Sequence, residues 1–288
     1  MSAENVSRAR TWKRLAWPLL LTAVVQAALI QAPRAGEDSG SRPRVDADGV
    51  AHVPAMSVPP SRFMSPEARS KFIKLFSNPE PSPPAGADIR LVREHDERKN
   101  PAASEDVASV YRELLKEHRA ADIGIYGCSA GGMLPAEAVA WFQQEKLPQP
   151  GAIGTFCGSA GSLGGDSSHL ASLLVGESPS AAADTGSLSL MPYFSEASSS
   201  DPLVLPISSQ RVLSRFPPTL LIAGSRDFTV SSLFHAQAAL TSVGVEAELH
   251  VWDGMWHAFF MDPDLPESQQ VYRVVAKFFD RHLGALQH

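Results

Sequence analysis

Asp122-Ile-Gly-Ile-Tyr-Gly-Cys-Ser-Ala-Gly-Gly-Met-Leu-Pro-Ala-Glu-Ala-Val-Ala-Trp-Phe-Gln-Gln144 is the stretch that decides the fold. Residues 122–126 form a short apolar run that predicts a buried strand. Residues 131–144 form an apolar run of helical length. Between them lies Gly127-Cys128-Ser129-Ala130-Gly131, a G-x-S-x-G placed where a strand turns sharply into a helix. Such a turn pushes the Ser129 hydroxyl out at the top of a sheet. It also sets the Ala130 N–H at a helix N-terminus, where it can face a developing oxyanion. Side chains at 127 and 131 are expected to collide with the tightly packed turn. The plain alternative is a tight strand–helix connection without chemistry.

A serine hydroxyl is a weak nucleophile and needs a base, which in turn needs an orienting acid. In strand–turn–helix hydrolases the chain order is Ser, acid, His. Asp227 follows the apolar run Thr219-Leu-Leu-Ile-Ala223 through Gly224-Ser-Arg, at the carboxyl end of a predicted strand. His257 follows Ala247-Glu-Leu-His-Val-Trp252, again at a carboxyl edge, where functional groups collect in open α/β sheets. His235 falls inside a predicted helix and His250 inside a strand, so both read as structural. His169 sits in a Ser-rich segment and could line a pocket. Asp253 reads equally well as a turn residue.

The rest of the C-terminal half keeps the same alternation. Helical spacing covers 104–118, 208–215, 231–243 and 267–286, and a further apolar strand covers 151–156. The segment 158–200 is rich in Ser and Gly and reads as mostly irregular, part of a wall or lid over a cleft. Strands alternating with helices give a mostly parallel sheet covered by helices on both faces. Tyr193, Phe194 and Trp256 could flank a substrate pocket, with aromatic core packing as the plainer role for each. Gly158-Ser-Ala-Gly161 lacks the first glycine of the serine motif and reads as a loop.

The 288 residues, 44% hydrophobic and 19% charged, suit one large domain or two small ones, and the formal net charge of -6 shows no block of like charge that would suit nucleic acid. Residues 1–14 are basic, residues 15–30 are uncharged and apolar, and small residues and Pro33 follow. This is the layout of a secretory signal. The run is short for a membrane span of roughly 20 residues, so an uncleaved anchor is the second reading. Loss of residues 1–35 removes five basic residues and one acid and leaves a formal charge of -10. A secreted or periplasmic location is therefore expected, with membrane association through residues 15–30 as the variant. Residues 36–99 read as a linker or arm with a short capped helix at 65–76, and 100–288 as the main domain. The two cysteines, Cys128 and Cys157, are too few for a disulfide framework. Both fall near strand ends; a single bridge is open, and two buried unpaired thiols is the plainer reading. Neither metal-ligand spacing nor a phosphate-binding glycine motif occurs, so no metal or cofactor is expected.

From about residue 100 onward the chain resembles the α/β-hydrolase fold-3 family, the hormone-sensitive-lipase-like esterases. Asn100-Pro-Ala-Ala-Ser-Glu-Asp-Val107 is similar to the family's lead into the helix before the nucleophile. Gly127-Cys-Ser-Ala-Gly-Gly132 resembles its elbow, with Cys128 where Asp is usual. Phe216-Pro-Pro-Thr-Leu-Leu-Ile-Ala-Gly-Ser-Arg-Asp227 and Gly254-Met-Trp-His257 resemble its acid and histidine loops. The resemblance implies an α/β-hydrolase fold and a serine hydrolase that cleaves small-acyl carboxylic esters through an acyl-enzyme, with Ser129, Asp227 and His257 as triad. The family also carries His-Gly-Gly-Gly upstream, whose backbone N–H groups supply most of the oxyanion hole. No His-Gly pair exists in this chain, and Gly86 is the only glycine between residues 50 and 123. The first strands of the family's sheet are accordingly expected to be missing. The alternative function is a catalytically impaired hydrolase-like protein that serves as a binding module.

Overall fold

A computed structural model describes residues 44–45, 51–52, 57–77, 99–161, 164–175 and 192–284. Two residue pairs, β1 (Arg44–Val45) and β2 (Ala51–His52), meet antiparallel. Helix α1 (Pro66–Phe76) starts as its sequence dictates. Pro66 occupies the first turn, and the Ser65 hydroxyl accepts the Ala68 N–H at 3.0 Å. Ser65 also donates from its backbone N and its hydroxyl to the two carboxylate oxygens of Glu267, at 2.7 and 2.9 Å. That fork ties the start of α1 to the start of the last helix.

The main body runs α2 (Ala102–Leu114), β3 (Gly124–Cys128), α3 (Ala130–Gln144), β4 (Ala152–Phe156), α4 (Asp166–Leu174), α5 (Gln210–Leu213), β5 (Thr219–Gly224), α6 (Val230–Ser242), β6 (Ala247–Trp252) and α7 (Pro266–His282). Strands β3-β4-β5-β6 lie side by side in chain order, all parallel. The expected α/β fold with a parallel sheet and helices on both faces is what the structure shows. Strand β5 explains why its sequence is apolar without interruption. Leu220 and Ile222 enter the core shared with Phe72 of α1 and Phe278 of α7. Leu221 and Ala223 enter the one shared with Leu233 and Ala236 of α6. Successive side chains point to opposite faces, and both faces are covered.

Most predicted spans hold within two or three residues. The 208–215 helix is shorter than its spacing suggests, a 3₁₀ turn at Pro206–Ser208 followed by α5. Residues 158–200 are less irregular than expected, because α4 forms there. Its short helix is anchored by side-chain exchange with α6: Ser167 N donates to Ser231 Oγ at 3.0 Å, and Ser231 N donates to Ser167 Oγ at 2.9 Å. Serines that look like loop residues in sequence are here a polar helix seam. The expected signal or anchor at 1–35 and the part of the expected linker from 78 to 98 lie outside the described residues. Among the described residues no helix is long and apolar enough to cross a membrane.

One buried acid carries a stability prediction. Glu137 on α3 is 3% exposed, and burial pushes its carboxyl from the ordinary 4.5 up to about 8. Between those two values the unfolded chain gives up this proton while the folded chain keeps it. Stability therefore falls as pH rises through the window and is level above about 8. Glu137→Gln is expected to remove that slope and to raise stability at pH 9 by about 1–3 kcal/mol. Melting curves of both proteins at pH 5 and pH 9 check it; equal differences at the two values would refute it.

Candidate active site

Ser129 occupies the junction of β3 and α3 with φ 60° and ψ -125°. For a non-glycine residue this is a strained conformation, of the kind found where a side chain must be presented outward. Two hydrogen bonds hold the bend: Ser129 N donates to Phe156 O at 2.9 Å, and Gly132 N donates to Ser129 O at 2.8 Å. A serine before a helix ordinarily caps it. Here the hydroxyl makes no capping bond and instead sits 2.9 Å from His257 Nε2.

The glycines around the bend are there for close approach, though not all where the sequence placed it. A Cβ on Gly127 would lie 1.9 Å from Gly131 O, and one on Gly132 would lie 2.4 Å from Phe156 O. A Cβ on Gly131 would meet nothing within 4 Å. The expected collision at 131 therefore belongs to 132, because Gly132 faces β4 while Gly131 lies on the exposed side of the helix start. Gly158, read as an ordinary loop glycine, also belongs to this bend: its Cβ would lie 2.5 Å from Ser129 O.

The structure brings Asp227 and His257 to Ser129. Asp227 follows β5, is fully buried, and accepts His257 Nδ1 at 2.9 Å on Oδ1. That oxygen also accepts Thr229 N and Thr229 Oγ1, both at 2.8 Å. Burial opposes ionisation of Asp227, yet the histidine bond and charge, helped by the Cys157 thiol and the Thr229 N–H, hold its carboxyl below the ordinary value. The His257 side chain is 27% exposed, so the base is reachable while its acid is not. With Nδ1 donating to Asp227, Nε2 is the lone pair that faces the serine hydroxyl. The β5 and β6 loops pack closely to allow this: a Cβ on Gly224 would lie 2.1 Å from Met255 O. Gly254 turns the histidine loop at φ 81°.

Two supports escaped the sequence. Phe228 stacks on the His257 ring, centroids 4.7 Å apart and planes 29° apart. Thr229 fixes the carboxylate as described. Their adjacency to Asp227 in the chain is the one signal that could have found them. The other histidines stay apart. His235 is exposed on α6, His250 lies 3.5 Å from Glu248 on β6, and His169 lies exposed on α4. Asp253 acts as a turn residue, accepting the hydroxyls of Ser61 and Ser225.

The three aromatic residues expected near a pocket all have packing roles. Trp256 is buried against Phe72 and Phe76 of α1, with ring centroids at 6.0 Å from each. Phe194 is buried with Met133, Val204 and Leu205, and Tyr193 packs edge-on to it while its hydroxyl accepts Ala103 N at 2.9 Å. Their large apolar area is used by the core, which is the commoner fate of aromatic side chains. Two surface depressions of about 440 and 430 Å³ are lined by Trp141 with its polar neighbours and by Val58–Arg62 with Arg226; neither includes a triad residue. Among the described residues, two groups have donor atoms mutually within 4.8 Å, as a metal ion would require: Cys157, Asp227 and His257, and the more exposed Glu246, Glu248 and His282. In the first, the acid and the imidazole already bind each other.

The profile of the alpha/beta hydrolase fold family matches residues 95–261. The crystal structure of the esterase E25 is 29% identical over 66% of this chain and 57% of its own, with a TM-score of 0.57. An esterase from the bacterial hormone-sensitive lipase family is 25% identical over 66% of this chain and 63% of its own, with a TM-score of 0.58. EstE5, solved after soaking with p-nitrophenyl butyrate, is 25% identical over 65% and 62%, with a TM-score of 0.57. The chain thus spans about three fifths of the length of these structures. No curated protein matches it.

Proposed function

Because the chain belongs to the alpha/beta hydrolase fold family, we propose that it cleaves small-acyl carboxylic esters by acyl transfer to Ser129. The observation that carries this is the unbroken relay Ser129 Oγ–His257 Nε2 and His257 Nδ1–Asp227 Oδ1, each 2.9 Å long. Ser129 attacks the ester carbonyl as His257 takes its proton. The Ala130 N–H, at the start of α3, donates to the oxyanion. The imidazolium, stabilised by Asp227, returns the proton to the departing alcohol, and water repeats the cycle to release the acid. The substrate is small and needs no cofactor. A secreted or periplasmic site of action, or attachment to a membrane through residues 15–30, is part of the proposal.

A second reading, a hydrolase-shaped binding module, is favoured by one observation: the sequence holds no His-Gly pair to supply further amide donors. Removing one oxyanion donor costs about 10²–10³ in turnover, so Ala130 alone would support slow chemistry. The test is the pre-steady-state release of p-nitrophenolate from p-nitrophenyl acetate. A burst equal to the protein concentration, and labelling by a fluorophosphonate, are expected, both lost in Ser129→Ala. A folded protein giving neither burst nor label sinks the hydrolase reading and leaves the binding module.

A further inference from the structure

We propose that Cys128 and Cys157 are a modification site: a dithiol that oxidants of the hydroperoxide class close to a disulfide beside the triad, reversibly disarming it. The chain has no other cysteine, and both are free thiols. Register brings them together. Cys128 pairs with Phe156 across β3 and β4, which puts Cys157 one residue further along the neighbouring strand. Strand spacing and rise place the two Cα atoms roughly 6 Å apart, inside the span of about 4.4–6.8 Å that a disulfide bridges.

Alternation along β4 would send consecutive side chains to opposite faces, so Phe156 and Cys157 should not share a core. They do share one, and Cys128 packs against it. The backbone at Cys157 is the reason: its φ of 51° is left-handed, a costly conformation for a non-glycine residue, and it turns the thiol back toward Cys128.

The partners are chemically unequal in the way oxidation requires. Cys128 is partly exposed, and its hydrogen bond with Cys157 draws its thiol below the ordinary value; burial pushes the Cys157 thiol well up. The Cys128 thiolate is thus the attacking group. It displaces hydroxide from hydrogen peroxide, breaking O–O and forming a sulfenic acid. The Cys157 thiol then attacks that sulfur, forming S–S and releasing water. Two thiols and one peroxide give one disulfide and two waters.

Closure reaches the triad through contacts already present. Cys157 Sγ accepts Ala258 N, the residue after the base, at 3.3 Å, and it lies within 4.8 Å of the Asp227 carboxylate and His257. Drawing Sγ onto Cys128, to about 2 Å, pulls it from Ala258 and Asp227 and locks the side chain that precedes Ser129. The effect on turnover rests on the proposed ester hydrolysis; the bridge itself does not.

The experiment treats the reduced full chain with hydrogen peroxide. Intact mass is expected to fall by two hydrogens and free thiols to go from two to none, with a Cys128–Cys157 cross-linked peptide in the digest. Turnover of p-nitrophenyl acetate is expected to drop by about 10²-fold, the scale of an ångström's misplacement in a catalytic group, and to return with dithiothreitol. Ser129→Ala is expected to form the same bridge, and Cys157→Ala to add oxygen to Cys128 with no bridge. Oxygen addition without cross-linking in the unsubstituted chain, or a disulfide between two chains, overturns the proposal. A complete bridge with undiminished turnover overturns the disarming. If the reduced chain never turns over, the hydrolase reading has failed, and mass and thiol count alone judge the bridge.

Discussion

Replacing His257 with Ala is expected to lower kcat/KM for p-nitrophenyl acetate by about 10⁴–10⁶-fold without unfolding the protein, and Asp227→Asn by about 10⁴-fold. The two losses have different physical origins. Without the imidazole, Ser129 has no acceptor for its proton, since Nε2 is the group placed 2.9 Å from Oγ. With Asn at 227 the ring remains, but an amide can turn a donor toward Nδ1. The imidazole then carries its proton on the nitrogen that faces the serine and loses its function as base. Asp227 is fully buried, so the positive charge that develops on the ring has no solvent to replace the carboxylate. Residues that act as one unit are not additive, and the double variant should be no slower than His257→Ala alone. Steady-state rates on the three variants, with circular dichroism to show that each is folded, decide the matter. A loss under about tenfold in the folded His257→Ala protein would place the chemistry elsewhere.

Gly127→Ala is expected to destabilise the fold by about 3–5 kcal/mol, a fall in Tm of about 10 °C or more. Its new methyl would stand 1.9 Å from a backbone carbonyl of α3. No rotamer relieves this, so helix and strand must part, in a region where packing tolerates little displacement. Gly131→Ala should do the reverse. Its Cβ meets nothing, its φ is not left-handed, and alanine suits a helix better than glycine by about 1 kcal/mol. Thermal melts of the two variants therefore separate two glycines that the motif treats as equals. Similar melting temperatures would show that the bend at Ser129 is not packed as described.

That contrast marks the border of what the sequence makes readable. The strand–turn–helix around Ser129 and the placing of Asp227 and His257 at neighbouring strand ends were legible because each combines a residue type with a local pattern: an apolar run, then glycine, then the polar group. Strands β4 and β5 were legible for the same reason, since parallel strands buried on both faces are continuous apolar segments. Contacts made across the sheet were not. Which of two adjacent glycines meets Phe156 depends on how α3 is rotated over β4. Whether Trp256 faces a cleft or the core depends on α1, a segment 180 or more residues earlier that covers it. Helix α4 went unseen because its stabilising partners, Ser231 and Phe228, lie more than 60 residues away. The closeness of Cys128 and Cys157 needed both the register of two strands and a left-handed backbone that no cysteine advertises.

The sheet is laid down in the order in which the chain is made, each new strand beside its predecessor. The serine follows the first of the four strands, the aspartate the third, and the histidine the last. A ribosome extends the chain by 128 residues between the hydroxyl and the imidazole that comes to lie 2.9 Å from it. Until that final segment docks, a growing chain carries an alcohol no more reactive than any other serine. On the proposed mechanism, synthesis and arming are thereby separated in time.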